Sequence, residues 1–112
     1  MDIGKLIERI RSRGKELGNE LELDLEDRDD LVGTTIDTIR VLRGKAEIEE
    51  VYTYVGLNSM RRTVKVKPQS KIVLVERSKE EEYRTGDIDI IKTYYLFENG
   101  KWMRYSLRKR PS

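Results

Sequence analysis

The dipeptide Asn99-Gly100, set between two runs of alternating apolar and polar residues, constrains this chain more than any other feature. A two-residue type I′ turn needs positive φ at both central positions, which Asn and Gly tolerate best, so residues 88–98 and 101–109 read as one long β-hairpin. The short loop also sets the pairing: Glu98 with Lys101, Phe97 with Trp102, Leu96 with Met103, Tyr95 with Arg104, Tyr94 with Tyr105 and, by continued count, Ile90 with Lys109. Cross-strand partners share a face, and successive faces alternate. Tyr94, Leu96, Met103, Tyr105 and Leu107 form one face with the composition of ordinary core. Ile91, Tyr95, Phe97, Trp102, Arg104 and Arg108 form the other. Its mix of rings and arginines suits either a partly wet binding surface or a second, smaller core with snorkelling arginine stems. Packing is the favoured use of Phe97 and Trp102, because buried aromatic residues commonly serve packing alone.

The rest of the chain reads as one helix followed by strands. Ile3, Leu6, Ile7, Ile10 and Leu17 fall on one stripe at helical spacing, which predicts an amphipathic helix over 3–17 with Asp2 as N-cap and Gly18 as terminator. Gly14 on that stripe suggests close approach to another backbone. The run 20–26 alternates leucine and acid strictly and predicts a half-buried strand. Its acids form a row on one face; a hard-metal site needs oxygens converging on a point, so a charged exposed face is the simpler reading. Residues 33–43 suit a helix or a strand, and the density of β-branched residues favours a strand. Strands over 46–55, 60–67 and 71–77 follow, with 46–55 read as the antiparallel partner of 33–43. Residues 78–86 form a charged excursion before the final hairpin, and 108–112 form a basic tail. All 112 residues fit a single domain.

Charge is abundant and uneven. Charged residues make up 39% of the chain, yet the net charge is only +2. Residues 1–99 hold 18 basic and 21 acidic residues, whereas residues 100–112 hold five basic and no acidic ones. The chain is thus closer to a dipole than to a uniformly basic protein. Abundant Glu, Lys and Arg without Cys or His resembles proteins from hot environments. Lack of Cys removes disulfides, thiolate nucleophiles and cysteine-based zinc sites, and lack of His removes the usual general base. Carboxylate pairs such as Glu47 with Glu49, or Asp87 with Asp89, are the remaining acid–base candidates, and no glycine-rich phosphate loop accompanies them. No apolar run approaches the ~20 residues needed to span a membrane, so a soluble, cytoplasmic protein without metal or cofactor is the expectation.

The segment Tyr94-Tyr95-Leu96-Phe97-Glu98-Asn99-Gly100-Lys101-Trp102 is similar to the Gly-Lys-Trp hairpin of NTF2-like domains, over some ten of the 112 residues. That resemblance implies a curved antiparallel sheet around a pocket. The chain departs from the pattern in having less N-terminal helix and no His.

These features predict an α+β fold: an N-terminal amphipathic helix packed on a strongly twisted, mainly antiparallel, half-barrel-like sheet of six or seven strands. The leading functional expectation is a small non-enzymatic binding module that contacts nucleic acid or an acidic partner through the closing hairpin. Arg104, Arg108, Lys109 and Arg110 would neutralise charge, Tyr95 and Trp102 would stack on bases, and Arg61 and Lys65 would extend the basic surface. A pocket-forming domain that binds a small molecule or performs simple acid–base chemistry is the alternative. A structural homo-oligomer is a further one, since exposed sheet edges leave homodimerisation open.

Overall fold

Helix α1 (Ile3–Arg13) begins where the sequence places it: the Asp2 side chain accepts a hydrogen bond from the Lys5 amide at 3.2 Å. The computed structural model describes residues 2–109, with side chains as far as Leu107. Leu6, Ile7 and Ile10 are buried on one stripe. Each contributes roughly 1.5–3 kcal/mol relative to an exposed side chain. The helix stops four residues before the expected position 17. Gly14 caps it, its N–H donating to the Ile10 carbonyl at 2.7 Å, and Lys15–Gly18 become a strand, β1. Past Ile10 the apolar stripe holds only Leu17, which remains 39% exposed, whereas the open side of the last strand offers backbone partners.

The remaining strands are β2 (Leu21–Asp29), β3 (Gly33–Arg43), β4 (Ala46–Gly56), β5 (Ser59–Pro68), β6 (Val73–Tyr83), β7 (Ile88–Glu98) and β8 (Lys101–Lys109). They form one sheet in the order β1-β8-β7-β6-β3-β2-β5-β4, with every neighbouring pair antiparallel. The fold is α+β with a curled antiparallel sheet, and β1 brings the count to eight rather than six or seven. The charged excursion is mostly strand: β6 runs to Tyr83, and Glu82 pairs with Ile88. The closing hairpin has the register expected from its turn, from Glu98 opposite Lys101 to Ile90 opposite Lys109. Asn99 (φ 55°) and Gly100 (φ 75°) both take the left-handed conformation.

One pairing differs from expectation. Strand β3 does not pair with β4; it pairs with β6 along most of its length, and β4 pairs with β5. The turn 43–45 is therefore a corner and not a hairpin loop. Gly44 (φ +80°) makes that corner, and a Cβ there would lie 2.2 Å from the Ile72 carbonyl oxygen. Gly44→Ala is expected to lower stability by more than ~1 kcal/mol, the minimum for placing a side chain in the left-handed region. Gly56→Ala, with nothing within 4 Å of its Cβ, should stay within ~0.5 kcal/mol. Thermal unfolding of the two variants checks the contrast.

Strands β2 and β3 pair only at their tip, Arg28 with Thr35 and Asp29 with Thr34. Beyond it they separate, so β2-β5-β4 folds back over the strands from β3 to β1. Leu21, Leu23, Leu25, Val64 and Val66 from one side meet Val73, Val75, Tyr95 and Trp102 from the other. The opposite face of the closing strands receives the helix: Leu6, Ile7 and Ile10 pack on Leu74, Tyr94 and Leu96. Both faces of the final hairpin are thereby used for packing.

Candidate functional site

The hairpin face that mixes rings and arginines looks into the fold. Trp102 is fully buried and Tyr95 nearly so (0% and 4% exposed), and Phe97 packs against Trp102 with ring centroids 5.2 Å apart. Stacking on Tyr95 and Trp102 is therefore corrected: β2 and β5 cover both rings, and neither presents a face to a ligand. Arg104 lies at the rim, exposed, opposite Lys15 of β1. Arg108 and Lys109 continue β8 opposite Ile91 and Ile90, their side chains lying outside the described part of the molecule, as does Arg110 altogether.

Arg61 and Lys65 are exposed on β5, near the other end of the strand order. They do not join Arg104. The register instead sets Arg61 between Glu26 and Thr53, and Lys65 between Glu22 and Glu49. The neighbouring Lys67 pairs with Glu49 at 2.8 Å. That hydrogen bond, with the Lys67 charge, holds the Glu49 carboxyl below its ordinary pKa. Lys65 is thus flanked by acids on both sides and Arg61 on one.

An interior charge network escaped the sequence reading. Asp37, with no exposed surface, lies on the inward face of β3 with Thr35 and Ile39. Its Oδ1 and Oδ2 accept hydrogen bonds from Arg77 Nε at 3.0 Å and Nη2 at 2.7 Å, and Oδ2 also accepts the Glu26 amide at 3.2 Å. Arg77 Nη2 reaches the Asp24 carbonyl as well, at 2.8 Å. Burial pulls the Arg77 pKa down, but the hydrogen bonds and charge of Asp37 outweigh it, and the net shift is upward. Arg62 donates to the Asp37 carbonyl oxygen and lies near Asp27 (3.3 Å) and Glu50 (3.7 Å). Four strands, β2, β3, β5 and β6, are tied at one point. With both carboxylate oxygens engaged, this network works as a clamp between the two halves of the sheet. The sequence signal was an acid at an inward position of an alternating strand; its partner is 40 residues away.

The opening that gathers cations lies beside the helix. Lys5 and Arg9, one turn apart on α1, line a cleft of about 300 Å³ with Lys92 of β7, Asp2, Tyr94 and Leu107. Among the described residues neither Lys5 nor Arg9 forms an ion pair. Lys92 is held loosely, 3.8 Å from Glu76. Burial, reinforced by the Glu76 charge, pushes the Tyr94 hydroxyl up to about 12, so it stays protonated throughout the neutral range. Lys15 and Arg104, paired across β1 and β8, lie on the opposite face of the sheet, because Arg104 alternates with the helix-facing Met103 and Tyr105, and β8 leaves the cleft through Leu107 toward the basic tail.

No family model, characterised protein or solved structure matches this chain.

The chemistry must therefore come from the residues themselves. Among the described residues, no cluster of Asp and Glu is placed to hold a metal ion, and no helix is long and apolar enough to cross a membrane. The sheet curves as the hairpin's resemblance to NTF2-like domains implies, but the space beneath Tyr95 and Trp102 is filled by β2 and β5 side chains. Surface character divides across the molecule: cations predominate at α1 and β8, acids on β2 and the first half of β4, and uncharged side chains on the second half of β4.

Proposed function

We propose that this protein is a small non-enzymatic binding module that engages nucleic acid through its phosphate backbone, at the cleft between α1 and strands β7 and β8. The observation that carries this reading is the convergence of Lys5, Arg9 and Lys92 on one cleft, with Lys5 and Arg9 free of ion pairs among the described residues. Arg108, Lys109 and Arg110 follow Leu107 of the cleft in sequence, whereas Arg104 and Lys15 lie on the other face of the sheet and stand apart from it. Phosphate binding requires cations in line and does not require exposed rings, so burial of Tyr95 and Trp102 changes the mode from stacking to charge neutralisation.

Such binding is sequence-independent and strongly salt-dependent. Titration with single-stranded and duplex DNA at two salt concentrations is expected to show affinity that falls steeply with salt and little preference for base sequence. Arg9→Ala or Lys92→Ala should each reduce the salt slope by about 1, the loss of one phosphate contact. Lys65→Ala, on the acid-flanked stripe, should leave the slope unchanged. No affinity at low salt, or affinity indifferent to salt, overturns the reading. Binding to an acidic protein but not to DNA would reassign the cleft to that partner.

A second reading, a homodimer, is favoured by a different observation: β4 ends the strand order with its outer edge unpaired and is exposed along nearly its whole length.

A further inference from the structure

We infer that two copies of this chain join edge to edge through β4, antiparallel about a two-fold axis at Val51. The inference rests on the dimeric reading above and specifies its interface. β4 has eleven residues, and Val51, Tyr52, Tyr54 and Val55 are all more than half exposed, Tyr54 at 82%. Leu57, in the turn that follows, is fully exposed. Soluble proteins usually protect a long edge with charged side chains, Pro or a bulge, and the charge on β4 is confined to Glu47, Glu49 and Glu50 in its first half. β4 contains neither Lys nor Pro, and its irregularity is confined to its last residues, between Tyr54 and Gly56. The opposite edge, β1, has only four residues and is itself irregular.

The occupant follows from how charge is arranged along β4. Glu47, Glu49 and Glu50 occupy the first half, and Tyr52, Thr53, Tyr54 and Val55 the second. Antiparallel pairing of two copies lays the acidic half of each against the uncharged half of the other, as a two-fold, self-complementary interface requires. The acids also select the register. Centring on Glu49 or Glu50 sets that residue against itself, and centring on Ile48 sets Glu47 against Glu49. Like charges directly opposite destabilise a strand pair.

Centring on Val51 sets Glu50 opposite Tyr52, Glu49 opposite Thr53 and Ile48 opposite Tyr54. Because Thr53 pairs with Arg61 and Glu49 with Lys65 within each copy, the outer face then reads Glu26, Arg61, Thr53 and, in the second copy, Glu49, Lys65, Glu22. The acids and bases alternate across the junction. Centring on Tyr52 also avoids acid against acid, but it moves Glu49 opposite Val55, away from Arg61. On the inner face the Val51 register places Ile48 of the second copy beside Tyr54, extending the apolar row that Val66 begins.

The chain has no cysteine, so single introduced thiols report the register. Directly paired residues have Cα atoms ~4.5–5.5 Å apart, within disulfide range, whereas two Thr53 residues in this register are ~13 Å apart along the strands. Full-length protein is expected to sediment as a dimer. Val51→Cys should form a covalent dimer under mild oxidation at least tenfold faster than Thr53→Cys. Val51→Lys, at a position 64% exposed in the monomer, should raise the dimer Kd at least roughly 100-fold by facing two cations across the axis. Circular dichroism confirms that each variant is folded. A wild-type protein that stays monomeric at high concentration overturns both the dimeric reading and this interface. A dimer that resists Val51→Lys, or that cross-links equally through both thiols, overturns this interface alone.

Discussion

Asp37→Ala is expected to cost about 3–5 kcal/mol, as removal of one partner from a buried ion pair generally does. The carboxylate has no exposed surface and receives Arg77 through two nitrogens as well as the Glu26 amide. Its loss leaves the Arg77 guanidinium partly buried without its counter-charge and removes the side-chain ties of β3 to β6 and to the Glu26 amide of β2. A domain of this kind has only ~5–15 kcal/mol of stability, so the variant approaches unfolding at ambient temperature. Urea unfolding measures the effect. The double variant Asp37→Leu with Arg77→Met should recover much of the loss, because an apolar pair of similar volume often replaces a buried ion pair at little cost. If Asp37→Ala shifts the urea midpoint by no more than a surface substitution does, the network is not a clamp.

Trp102→Ala is expected to cost about 3–5 kcal/mol through the cavity left between the two halves of the sheet. Arg104→Ala, two residues along at the rim, should change stability by no more than ~0.5 kcal/mol. Trp102→Phe should fall between Trp102→Ala and the wild type, since the indole Nε1 has no hydrogen-bond partner among the described residues and its removal sacrifices no bond. Trp102 is the sole tryptophan, so its fluorescence reports this interior directly. Emission should be blue-shifted and shielded from aqueous quencher in the native state, and should remain so when DNA is added. A ring that becomes quenched or shifted by DNA would restore stacking as the binding mode.

Much of the local architecture was legible in the residues. Asn99-Gly100 set the register of nine cross-strand residue pairs correctly, because a two-residue turn leaves no slack in the count. The alternation from Leu21 to Leu25 gave a strand with its leucines buried, and the β-branched run before Gly44 gave β3. The helix was found but overrun: its end depended on β8 offering an edge to Lys15–Gly18, a competitor invisible to helical periodicity. The pairing of β3 with β4 failed for a related reason. A short turn usually signals a hairpin, but Gly44 is packed against Ile72 from another part of the chain, and that contact turns β3 and β4 apart.

The candidate site was less legible than the fold. Counting register separated the two hairpin faces correctly, yet only the return of β2 and β5 decided that the face with Tyr95 and Trp102 is interior. Lys5 and Arg9 read in sequence as the outer face of an amphipathic helix, more simply solvated than anion-facing; with Lys92 they line a cleft because α1 lies across β7 and β8.

Alternation, turn chemistry and charge distribution were determined by the sequence itself, since each is set by neighbours within a few residues. Which face is covered, where Asp37 finds its counter-charge and which edge remains open were decided by the tertiary structure alone. Those outcomes depend on surfaces tens of residues apart meeting or failing to meet, and burial acts on the assembled surface rather than on the local pattern.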